Sequence, residues 1–103
     1  MSTLTPEIAI ARGQSVVVTD DALVVELADG RTLSVPLAWY PRLLHATPAE
    51  RAGWRWIGAG QGIHWPVLDE DVSIEALLLG RSSGESQTSL QRWLAQRNPP
   101  RAG

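Results

Sequence analysis

Cysteine, lysine and phenylalanine are all absent from this 103-residue chain, and methionine occurs once. Without thiols there are no disulfides, no thiolate zinc sites and no cysteine nucleophile. The two histidines, His45 and His64, cannot complete a three-ligand catalytic zinc site by themselves. No run reaches the roughly 18 apolar residues that span a bilayer. Met1 to Pro6 lacks the charged start and apolar stretch of a secretory signal. A cytoplasmic chain with no membrane partner is therefore expected. What is present, 44% hydrophobic and 19% charged residues with a net charge of −2, describes one globular domain with a modest core. All nine basic residues are arginine, scattered from Arg12 to Arg101 among eleven acids. With a pI near 5.6 they form no basic footprint for phosphate and are expected on the surface.

The first third reads as strands. Val16 to Val18 is a β-branched run, Asp20-Asp21 interrupts it, and Leu23 to Leu27 resumes with apolar residues at alternate positions. A two-residue loop at Asp20-Asp21 sets Val18 against Leu23 and Val16 against Val25. The next turn is decided by which faces coincide. A two-residue Asp29-Gly30 loop would mix Leu27 with Thr32 on one face. A three-residue loop over Ala28-Asp29-Gly30, with Gly30 at positive φ, pairs Val25 with Leu33 and Leu23 with Val35. The spacing therefore predicts a bulged three-residue turn, an inner face of Val16, Val18, Leu23, Val25, Leu27, Leu33 and Val35, and a strand end at Pro36. Ile8 and Ile10 are candidates for a short covering strand.

Beyond Pro36 the pattern shortens. Leu37 to Leu44 predicts an irregular helical turn, and Thr47-Pro48-Ala49-Glu50 has the composition of a capping box with proline at the first helical position. Trp54 to Ile57 reads as a short strand returning to the sheet and Ile63 to Trp65 as another short strand closed by Pro66, with the flexible loop Gly58 to Gly62 between them. Ile74 to Leu79 reads as a helix stopped by Gly80, with Ser73 or Asp71 as its cap. The acids Asp69-Glu70-Asp71 are expected to favour its N-terminus. A last helix spans about Thr88 to Gln96. The fold class expected is α+β: an N-terminal antiparallel β-meander of about three strands, short helices, one or two further short strands and a C-terminal helix. The organisation expected is an N-terminal segment (1–14), a core (15–80), a linker with the C-terminal helix (81–97) and a frayed tail (98–103).

Candidate chemistry is sparse. Gly58 to Gly62 fails the nucleotide-binding patterns, because Ile63 stands where a third glycine is needed and no Gly-Lys-Ser/Thr follows. The acidic triplet lacks calcium-loop spacing. His64 is the best acid–base candidate, yet no base partner or nucleophile elbow is legible, and a single structural hydrogen bond near a sheet edge is its competing role. No catalytic residue, metal ligand or cofactor is assigned. The composition's strongest anomaly is tryptophan, five residues at 39, 54, 56, 65 and 93. Core filling accounts for most of them, and any exposed one would mark an interface.

A set of ordered motifs carries a family resemblance: Leu27-Ala28-Asp29-Gly30-Arg31, Val35-Pro36-Leu37, Tyr40-Pro41-Arg42-Leu43, Thr47-Pro48-Ala49-Glu50-Arg51, Gly62-Ile63-His64-Trp65-Pro66, and Leu68 to Ile74. Over roughly residues 15 to 80 the chain resembles the small bacterial proteins of domain of unknown function 2442. The resemblance implies a small α+β domain, encoded beside another small protein in pairs that look like toxin–antitoxin modules, with this type as the antitoxin. A non-enzymatic, antitoxin-like domain binding a small protein partner is the leading expectation. Its candidate interaction surface is Trp54, Arg55, Trp56, His64 and Trp65, and a nucleic-acid-binding regulatory module is the alternative.

Overall fold

The computed structural model describes residues 11–97, so the expectations for Ile8, Ile10 and the tail 98–103 fall outside the described residues. Strands β1 (Gly13–Val18), β2 (Ala22–Leu27) and β3 (Thr32–Pro36) form an antiparallel meander in the order β1-β2-β3. Both turns behave as the faces demand. Val18 stands opposite Leu23 and Val16 opposite Val25. Val25 meets Leu33 and Leu23 meets Val35, with Gly30 at φ 98° in the three-residue loop. A register shift between Gly13 and Ser15 marks a bulge at the start of β1. Val16, Leu23, Val25, Leu27 and Val35 are buried, while Val18 and Leu33 pack on the core from its margin.

A 3₁₀ turn (Leu37–Trp39) and the short helix α1 (Pro41–Leu44) carry the chain over the meander. Helix α2 (Pro48–Ala52) begins as its sequence requires: the Thr47 hydroxyl accepts from the Glu50 N–H, and the Glu50 carboxylate accepts from the Thr47 N–H. The chain then departs from the expected single sheet. Strands β4 (Arg55–Ile57), β5 (Gly62–Trp65) and β6 (Glu70–Ser73) form a second antiparallel sheet of their own. The acidic triplet does not cap a helix. Asp69 takes φ 52° in the turn after β5, Glu70 and Asp71 belong to β6, and only the Ser73 hydroxyl caps α3 (Ile74–Leu78). Three carboxylates in a row looked like helix-dipole partners, but the cross-strand pairing of β6 with β5 claims two of them. Gly58 to Gly62 is a packed turn. Gly60 is buried and its carbonyl accepts from the Gly13 N–H at 2.7 Å, which joins the two sheets at the β1 bulge.

The core is one cluster shared by both sheets, with Trp65, Ile63, Leu68 and Ile74 fully buried against Leu23, Val25, Leu37 and Leu43. Helix α4 (Gln87–Arg97) buries no residue outright. It is held by polar groups. Arg42 grips Glu85 at 2.7–3.1 Å, and Arg97 grips Glu50 at 2.8 Å through both Nη atoms. Trp93 lies under both guanidinium groups, with ring-centroid distances of 5.1 Å to Arg42 and 4.6 Å to Arg97.

Arg51 corrects the expectation that the arginines lie on the surface: it is 9% exposed. Its Nε donates to the Leu43 carbonyl at 3.0 Å and its Nη2 to the Leu44 carbonyl at 3.0 Å, while Nη1 holds Asp20 at 2.9 Å. A planar fork is the one side chain that serves three acceptors in one plane, and lysine could not. Arg51→Ala takes the side-chain donor from the Leu44 carbonyl, leaves the Leu43 carbonyl only its backbone N–H partner and removes the contact to Asp20, and should cost about 2 kcal/mol. Denaturant melts should therefore show a lower midpoint for Arg51→Ala, and Arg51→Lys should recover less than half of the loss.

Candidate functional site

Alternation along β4 and β5 divides the five candidate residues between two faces. Arg55, His64 and Asp71 stand opposite one another across the three strands and form one outward row. Trp56, Ile63 and Val72 form the neighbouring row, which turns toward the core. Trp65 is fully buried, with its indole N–H donating to the Arg51 carbonyl at 3.0 Å, so it is a core residue and leaves the interaction surface. A large aromatic ring beside a proline has no sequence mark that separates an interface anchor from a core one.

Trp56 is half-buried for a specific reason. A Cβ on Gly13 would lie 2.5 Å from its Cη2 and Cζ3, so the ring rests on a backbone position that only glycine keeps open. Trp54 meets Trp56 edge to face, with centroids 4.9 Å apart and planes at 68°. Its other flank faces a groove of about 520 Å³, lined by Val16 to Asp20 on one side and by Pro48, Arg51, Ala52 and Trp54 on the other. Successive strand residues point to opposite faces, so a hollow touched by five consecutive residues follows the strand's edge. Apart from Trp54, the residues of this groove were absent from the candidate surface. Their signal lay in α2 and β1, elements 30 residues apart in sequence that only the tertiary fold brings together.

On the outward row, His64 Nδ1 contacts the Asp71 carboxylate and Arg55 lies across from His64, a polar ladder typical of a solvated face. His64 sits on the middle strand of its sheet, not at an edge. Neither His64 nor Arg55 lines the groove. Among the described residues no cluster of three or more His, Asp or Glu side chains is arranged to hold a metal ion.

Glu70 shares the inward row of Trp65, and burial there pushes its pKa from 4.5 up to about 7. The nearby Glu85 carboxylate adds to the rise, and Arg42 opposes it. The carboxylates on the helix contacts move the other way. Glu50 falls to about 2, first because of Arg97 and then because of the Thr47 N–H, and Glu85 is lowered chiefly by Arg42.

A family model described as protein of unknown function (DUF2442) matches residues 14–83. Two solved structures share the fold. One is a protein of unknown function from Rhodospirillum rubrum, 23% identical, with a TM-score of 0.61 over 78% of this chain and 96% of that one. The other is an uncharacterized protein from Chromobacterium violaceum, 27% identical, with a TM-score of 0.63 over 92% of this chain and 82% of that one. No curated protein matches the chain.

The opposed carboxylate shifts set the pH response. Because the folded state raises the pKa of Glu70, this group stabilises the fold fully below about pH 4.5, and that contribution is lost as pH rises through about 7. Glu50 contributes above its ordinary range and loses that contribution as pH falls toward 2, and the lowered Glu85 acts in the same direction. Glu70→Gln should therefore gain about 1 kcal/mol over the parent at pH 8, after allowance for the solvent that reaches the carboxyl. Chemical denaturation from pH 5 to pH 8 should show a flatter profile for the variant.

Proposed function

We propose that this chain, which belongs to the family of proteins of unknown function designated DUF2442, is a non-enzymatic protein-interaction domain that holds a small cognate protein in the manner of an antitoxin. The observation that carries this reading is the groove between β1 and α2. It is open, it is walled by Trp54, Pro48, Ala52 and valine side chains, and its rim carries the exposed Asp20, held from below by the buried Arg51. An apolar floor with an aromatic anchor and a polar rim is the usual composition of a protein-binding patch. The interaction surface is accordingly Trp54 with the groove, flanked by Trp56. Arg55 and His64 lie on the opposite face, where they would contact only a partner that wraps β4 and β5.

Nucleic acid is the weaker reading. Arg31, Arg42, Arg51 and Arg97 each pair with a carboxylate, and a guanidinium so engaged contributes little to counterion release from phosphate.

The test is recovery of the tagged full chain from its native host, with the stoichiometry of what accompanies it. One small protein in a fixed ratio is the expected result. Trp54→Ala should then weaken the purified complex about tenfold or more with its circular dichroism unchanged. Its affinity should change little between about 50 and 200 mM salt, whereas a steep decline with salt and sensitivity to nuclease would overturn the reading in favour of nucleic acid.

A further inference from the structure

The groove leaves open how a partner is gripped, and the hydrogen-bond phase of the first hairpin supplies an answer. Thr19 donates its N–H to the Ala22 carbonyl at 2.9 Å, so Thr19 and Ala22 are a hydrogen-bonded pair. In an antiparallel ladder such pairs alternate with pairs whose backbone groups point away. Val17 opposite Val24 is then bonded inward, while Val16 and Val18 turn their N–H and C=O groups outward, along the edge that borders the groove. Among the described residues β1 pairs with β2 alone.

Edge strands are ordinarily protected by charge, by proline or by a cover. From Gly13 to Val18 the sequence is Gly-Gln-Ser-Val-Val-Val, without a charge or a proline, and Val17 is 55% exposed. At its other end β1 is closed off by the Gly60 carbonyl on the Gly13 N–H, which leaves the stretch beside α2 as the accessible part. The tip of the hairpin there is acidic. Asp20 is 94% exposed although one oxygen meets Arg51, and Asp21 is exposed beside it, so two carboxylates face one guanidinium.

We propose that the edge of β1 takes an extended segment of the partner protein as an added strand, with apolar side chains at alternate positions and a basic residue where it meets Asp20 and Asp21. The inference rests on the protein-interaction reading above and specifies its contact. Backbone groups of Val16 and Val18 supply the hydrogen bonds, Trp54, Pro48 and Ala52 receive the side chains that turn into the groove, and the acidic tip sets the register.

Selection of a random ten-residue peptide library against the intact chain tests this directly. Enriched peptides should alternate apolar residues and end in arginine or lysine. Their binding should slow amide exchange at Val16 and Val18. Val18→Pro removes an outward N–H without touching the bonds to β2, and should weaken an enriched peptide roughly tenfold. Asp21→Lys, which keeps the backbone intact, should weaken the same peptide about fivefold by reversing the tip's charge and covers the case in which the proline variant fails to fold. Enrichment of no peptide, equal binding by both variants, or exchange protection confined to β4 and β5 would overturn strand addition. So would dimerisation of the free chain through β1. The cognate complex and its Trp54 dependence are measured separately, so loss of strand addition leaves the interaction reading standing or falling on that result.

Discussion

Everything around the groove depends on one buried guanidinium. Arg51 closes the C-terminal carbonyls of α1 with two donors, reaches the tip of the first hairpin with a third, and offers its own carbonyl to the indole of Trp65. Four segments distant in sequence therefore meet on the side chain and backbone of a single residue. A charge at this depth is tolerated only because its donors are matched, and the matching is directional in a way that apolar packing is not. That directionality holds α2 at a set distance from β1. The groove is the space left between them.

The same economy appears at the C-terminal helix. α4 contributes no fully buried side chain, yet the Arg97–Glu50 pair, the Arg42–Glu85 pair just ahead of the helix and a tryptophan that both guanidinium groups contact attach it to the body. Glu50 belongs to both systems, capping α2 while holding Arg97. With arginine as its sole cation, the chain uses bidentate geometry to link small elements that have little core of their own. The segment between α3 and α4 is drawn into this scheme too, through Tyr40 on the Arg81 carbonyl at 3.1 Å and the Ser83 N–H on the Trp39 carbonyl at 3.0 Å.

Much of the local structure was legible before any coordinates. The register of the meander, the three-residue turn at Gly30 and the capping box at Thr47 all follow from alternation and backbone chemistry within a few residues. The failures share a different cause. Trp54 to Ile57 reads as an addition to the first sheet because strand patterns carry no address, whereas it pairs in a second sheet. Asp69 to Asp71 looked like a helix start because carboxylates suit helix termini and polar strands alike. Of the candidate surface, alternation correctly separated Trp54 and Trp56 from Arg55, but it could not show that Trp65 points into the core.

What the sequence determined by itself is therefore short-range: strands, turns, caps and the α+β class, where the deciding contacts lie within one hairpin or one helical turn. Only the tertiary structure decided which arginine is buried, which tryptophan is covered, and that β1 and α2 leave a groove between them. Those outcomes turn on pairings such as Arg51 with Asp20 and Gly13 with Gly60, whose partners lie 31 and 47 residues apart. Nothing in a local pattern specifies such partners, because hydrogen-bond geometry acts on distance in space and is indifferent to distance along the chain.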